Sequence, residues 1–139
     1  MSDPKHEQGE PFEIRRFPVH LGLGAKVARL PEFDGTMQWY ERYGQSTSDD
    51  GIEGRLVAIH SFRGPWPSWE VHPHGEELVL CLSGRMTLHQ ELEDGVKTVV
   101  LEPGQAVVNP PGVWHTADVS GEASALFITA GLGTQNRDR

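Results

Sequence analysis

Between residues 55 and 130, short runs rich in Val, Leu, Ile and Phe alternate with turn residues. No run there is long enough for an amphipathic helix, so the segment must fold as many short strands. The runs are RLVAIHSF (55 to 62), SWEVH (68 to 72), ELVLCLSG (77 to 84), RMTLHQELE (85 to 93), KTVVLE (97 to 102), QAVVNP (105 to 110), WHTADV (114 to 119) and ASALFITA (123 to 130). The 16 Gly and 10 Pro of the chain fit this all-β pattern. Asp94-Gly95 is a hairpin signal, because Gly accepts the positive φ of tight turns. The strand spacing predicts an antiparallel β-barrel or a two-sheet jelly roll, architectures that limit exposed strand edges. Ahead of the barrel, MQWYERYGQ (37 to 45) reads as one short helix. ELVLCL and TVVL are apolar on both faces, which predicts that a second copy covers part of the outer surface, as in a homodimer.

The 139 residues suffice for one domain with a real core. Residues 1 to 10 and 133 to 139 are polar and predicted to be tails, leaving one domain over 11 to 132 with its motif core at 55 to 130. Twelve Lys and Arg against 20 Asp and Glu give a formal charge of -8, which argues against nucleic acid or an anionic membrane as partner. No apolar run approaches membrane-helix length, and the opening MSDPKHEQGE has no signal-peptide core, so a cytoplasmic location is expected. Cys81 has no partner for an internal disulfide and lies in LVLCL, where a buried, inert thiol is expected.

WEVHPHGEE (69 to 77) concentrates potential ligands. On a strand Glu70 and His72 share a face, with Trp69 and Val71 on the other. Pro73 and Gly75 break the strand, which puts His74 on a loop, and Glu77 opens the next strand. His115 follows a Pro-Pro-Gly turn that can aim it into a barrel mouth. Two imidazoles with one or two carboxylates suit a divalent transition ion.

These residues fall into register with two motifs, and in them the chain resembles the cupin superfamily. The first motif, G-x5-H-x-H-x(3 or 4)-E-x6-G, is matched at Gly64, His72, Glu77 and Gly84, with Glu70 where the first family histidine stands. The second, G-x5-P-x-G-x2-H-x3-N, is matched at Gly104, Pro110, Gly112 and His115, with Val119 in place of the closing Asn. The resemblance implies a small jelly-roll barrel holding one Fe, Mn, Ni or Zn ion. Carried over by position, its ligands are Glu70, His72, Glu77 and His115. An alternative set keeps a His-x-His pair by using His74 instead of Glu70.

Around such an ion, Trp66 shares the parity of Glu70, His60 shares a face with Leu56 and Ala58, and Val119 lies on the face of His115, so all three are candidate pocket residues. Each has a plainer reading: a lone histidine such as His60 is commonly a core residue, and an acid beside Trp is commonly solvated. His89 shares parity with Thr87 and Glu91 and is expected to face outward, and His6 and His20 carry no signal. The GLG at 22 to 24 opens no helix after a strand and is not a dinucleotide fingerprint. His74 and Glu76 are the candidate acid-base groups. Two functions follow: a metal-dependent enzyme of dioxygenase, isomerase or lyase type acting on a small oxygenated molecule, or a non-catalytic cupin that binds or senses a small ligand.

Overall fold

The computed structural model describes residues 9–139. The predicted tail at 1 to 10 therefore lies almost wholly outside the described residues. Among the described residues, eleven strands form two antiparallel sheets. The six-stranded sheet runs β2 (Lys26–Arg29), β1 (Val19–Gly22), β3 (Arg55–Phe62), β10 (Ala123–Thr129), β5 (Glu77–Ser83), β8 (Ala106–Asn109). The five-stranded sheet runs β11 (Gln135–Asp138), β4 (Ser68–Val71), β9 (His115–Val119), β6 (Met86–Leu92), β7 (Gly95–Leu101). This is the predicted all-β jelly roll, and alternation explains how it closes. Val79, Cys81, Ala125 and Phe127 from one sheet meet Met86, Leu88, Leu101, Ala117 and Val119 from the other in a single core. Cys81 is fully buried, and that burial holds its thiol above the usual range.

The β6–β7 hairpin pairs Leu92 with Gly95, so its two-residue turn is Glu93-Asp94, one residue before the predicted pair. Gly95 still supplies a positive φ of 128°, at the first position of β7.

Helix α1 (Met37–Ser46) lies where the sequence placed it. Thr36 caps it by accepting from the Trp39 backbone N–H at 3.1 Å. Trp39 is 1% exposed, donates from Nε1 to the Pro31 carbonyl and stacks on Tyr43. Tyr43 in turn meets His20 of β1, whose Nδ1 lies 2.8 Å from the phenol oxygen and whose Nε2 lies 2.6 Å from Asp50. His20, silent in the sequence, is thus the buried link that ties α1 and the 3-10 turn at Ser48–Glu53 to the barrel.

The predicted tail at 133 to 139 is a correction. Its residues Gln135–Asp138 are β11, paired in register with β4 from Gln135↔Val71 to Asp138↔Ser68. Four polar residues have no strand periodicity of their own; the free edge of β4 and a set of Arg contacts supply the order that composition does not. Among the described residues, no helix is long and apolar enough to cross a membrane.

Candidate metal centre

Sheet pairing assembles the cluster. Glu70 of β4 pairs directly with His115 of β9. His72 lies one residue beyond the end of β4, shorter by that residue than the predicted strand, and its carbonyl accepts from the Gly112 N–H at 3.0 Å. Glu77 enters from the opposite sheet at the start of β5. Single ligand atoms of Glu70, His72 and His115 all lie within 4.8 Å of one another. Glu77 bridges the imidazoles, with Oε2 3.3 Å from His72 Nε2 and Oε1 3.2 Å from His115 Nε2. Glu70 Oε2 lies 4.0 Å from His72 Nε2. Donors about 2.1 Å from one ion sit roughly 3–4 Å apart, so the spacing fits a common centre.

The hydrogen bonds around the cluster fit the same reading. His115 Nδ1 donates to the Val113 carbonyl at 3.1 Å. His72 Nδ1 lies 2.8 Å from Thr134 Oγ1, whose own proton goes to the Gly131 carbonyl at 2.8 Å, so the imidazole is the donor. In its neutral form each ring therefore turns an Nε2 lone pair inward, and both Nε2 atoms are buried without a well-directed hydrogen bond although Glu77 lies 3.3 and 3.2 Å away. A buried acceptor with no donor is costly unless something electropositive faces it. Two such nitrogens beside two carboxylates are the donor set a divalent transition ion accepts.

The electrostatics agree. Burial, and then the charge of Glu77, push the Glu70 carboxyl up against the opposing pull of His72 and His115. Burial also pushes Glu77 up, but the adjoining His115 and His72 outweigh it and hold the carboxyl far below its usual range. Burial lowers His115, and the neighbouring Glu77 more than reverses this, leaving it raised. A cation among these groups relieves the carboxylate repulsion.

Glu77 is further fixed by groups the sequence reading missed. Asn109 Nδ2 donates to Oε1 at 3.0 Å, Thr129 donates to Oε2 at 2.6 Å, and Gln90 Nε2 donates to Asn109 Oδ1 at 2.8 Å. Gln90 had a signal, since it shares parity with the apolar Met86 and Leu88. Asn109 and Thr129 had none, because only the register Glu77↔Asn109 and Thr129↔Glu77 brings them to the site.

The candidate pocket residues are inside. Trp66 and Val119 belong to the core, and the Trp66 ring lies 6.4 Å from that of His115. His60 is half-buried among Phe33, Phe62 and Phe127, and burial, then the charge of Arg15, hold it below its usual range. His74 and Glu76 are not enclosed with the cluster; both are exposed on the turn that follows His72. His89 points outward between Thr98 and Asp118. At the open side, the Glu70 side chain is 36% exposed. Tyr40 of α1 comes near enough that, after burial, the charge of Glu70 helps to hold its phenol above the usual range.

A two-sheet jelly roll with an imidazole and carboxylate cluster between the sheets is the cupin arrangement. The cupin domain family matches residues 63–131, which include all four clustered side chains, and the chain belongs to the cupin superfamily. No curated protein sequence matches the chain significantly. Among solved structures, an oxalate oxidase superposes with a TM-score of 0.51 at 20% identity over 58% of this chain and 44% of its own. The chain thus spans less than half of that protein. A cupin-2 domain protein of Shewanella frigidimarina has a TM-score of 0.47 at 20% identity, covering 54% of this chain and 69% of its own. Hydroquinone 1,2-dioxygenase of Sphingomonas sp. TTNP3, with 4-hydroxybenzoate bound, has a TM-score of 0.47 at 18% identity, covering 54% and 59%.

Proposed function

We propose that the protein is a mononuclear metal cupin that acts on a small oxygenated organic molecule, with one Fe, Mn, Ni or Zn ion held by Glu70, His72, Glu77 and His115. The carrying observation is the pair of buried, unpartnered Nε2 atoms that converge on Glu77 while each Nδ1 is tied down. Two carboxylates balance a 2+ ion, so the ligand need not be anionic. When bound, such an ion supplies Lewis acidity or redox chemistry of dioxygenase, isomerase or lyase type. The chain's own groups do the rest. Asn109 and Thr129 hold Glu77, and Tyr40, kept protonated, can donate to a ligand oxygen on the open Glu70 side. A non-catalytic binding or sensing role is the second reading, favoured by the exposure of His74 and Glu76, the candidate proton-transfer groups. Turnover with Fe(II), Mn(II) or Ni(II) supports the enzyme; saturable binding alone supports the sensor.

The assignment of Glu70 over His74 is tested by metal analysis of purified variants. Glu70→Ala removes a donor and a compensating charge and is expected to weaken metal binding at least about tenfold. His74→Ala is expected to keep wild-type metal content. Loss of metal in His74→Ala with full retention in Glu70→Ala would reverse the assignment. Self-association belongs to the same proposal and is supported by Val96 and Val100, 56% and 50% exposed on edge strand β7. A monomer by light scattering at micromolar concentration would remove it.

A further inference from the structure

We infer that segment Gly131–Arg139 completes the metal centre, with Thr134 as a positioning residue that sets the orientation and tautomer of His72. The inference rests on the metal reading above and adds residues 132 to 139, including Thr134, which lie beyond both cupin motifs and the matched family span.

Three observations converge. The hydroxyl of Thr134 spends its single proton on the Gly131 carbonyl, so toward His72 it can only accept. That forces the proton onto Nδ1 and leaves Nε2 free to ligate. The turn carrying Thr134 also interlocks with the turn that follows His72. A Cβ on Gly75 would stand 2.5 Å from the Ala130 Cβ, and one on Gly133 would stand 3.3 Å from both Pro73 Cγ and His74 Cδ2, at a backbone φ of +77°. Beyond the turn, β11 is fastened across the sheet. Arg137 lies over the rings of Trp69 and Trp114, at 5.3 and 4.6 Å from their centroids, and is ion-paired with Glu91. Arg139 donates to the Trp66 and Ala117 carbonyls and to Asp118.

The segment therefore acts as a strap. Docked along β4, it locks His72 with its lone pair on the cluster; undocked, it leaves the ring free to rotate and to take either tautomer. Metal affinity is then coupled to the docking of β11, and anything that competes for the β4 edge weakens the site.

The test uses Co(II) as probe in the full chain, with affinity from chelator competition, coordination from the Co(II) visible bands, and fold from thermal melting. Thr134→Ser keeps the acceptor and is expected to bind Co(II) within about twofold of wild type. Thr134→Val keeps the shape, loses the acceptor, and is expected to bind at least about tenfold more weakly with altered visible bands. Arg137→Ala, remote from the ligands, is expected to weaken Co(II) binding while the core still melts cooperatively. Thr134→Val binding like wild type, or Thr134→Ser as weak as Thr134→Val in a folded protein, would overturn the strap. Wild type that binds no Co(II) would overturn the metal reading itself.

Discussion

His115 carries the clearest pH signature of any single residue. In the metal-free fold Glu77 raises its pKa above the ordinary value of about 6.5. A metal must displace that proton, so occupancy is expected to be full near pH 8 and to fall as pH drops through neutrality, with little left by about pH 4.5. The metal-free protein has the opposite slope. A raised histidine contributes stability that is fully present below its unfolded pKa and is lost as pH rises through the folded one. Glu77, held low, contributes stability above the unfolded carboxylate value of about 4.3 that is lost only in strong acid. Melting of metal-free protein is therefore expected to peak between about pH 4.5 and 6.5, and a peak at pH 8 would contradict the Glu77–His115 pairing. At Gly54 the constraint is steric. An added Cβ would lie 2.7 Å from His20 Cε1, on a ring pinned through both nitrogens, so Gly54→Ala is expected to cost about 1–3 kcal/mol in urea denaturation.

At the scale of elements, legibility followed hydrophobic content. RLVAIHSF is β3 to the residue, and ELVLCL and ASALFIT were evident as long apolar runs, buried on the core face and largely half-buried on the other. VHLG, KVAR and QNRD were not, because each has four residues and owes its extended form to a neighbour's edge. The same division runs through the site. Glu70, His72, Glu77 and His115 stood out by spacing, whereas Asn109, Thr129 and Thr134 reach them through pairings that no local pattern encodes. Helix α1 was visible by composition, and its start is fixed by Thr36, which accepts from Trp39 N–H and is itself held by Asp34. Thr36→Ala is expected to cost about 1 kcal/mol, read as a lowered melting temperature. Because α1 carries Tyr40 toward Glu70, the same variant is expected to weaken small-ligand retention more than metal retention. Equal losses of both would detach the helix from the ligand side of the site.

For the whole molecule, the decisive feature is that the donors are divided between sheets. Glu70 and His115 belong to the five-stranded sheet, with His72 just past the end of its strand β4, while Glu77 and its two hydrogen-bond donors belong to the six-stranded one. An ion seated among them would act as a rivet through both layers. Its binding energy is then available to the fold: free metal at 100 times its dissociation constant adds about 2.7 kcal/mol to global stability. Amide exchange in β4 and β5, in opposite layers, should consequently slow together on metal addition and by similar factors. Slowing confined to β4 would mean that the ion decorates one sheet. If the rivet holds, the supply of metal sets how long the barrel survives, and a metal-starved population would be the first to be cleared by proteolysis.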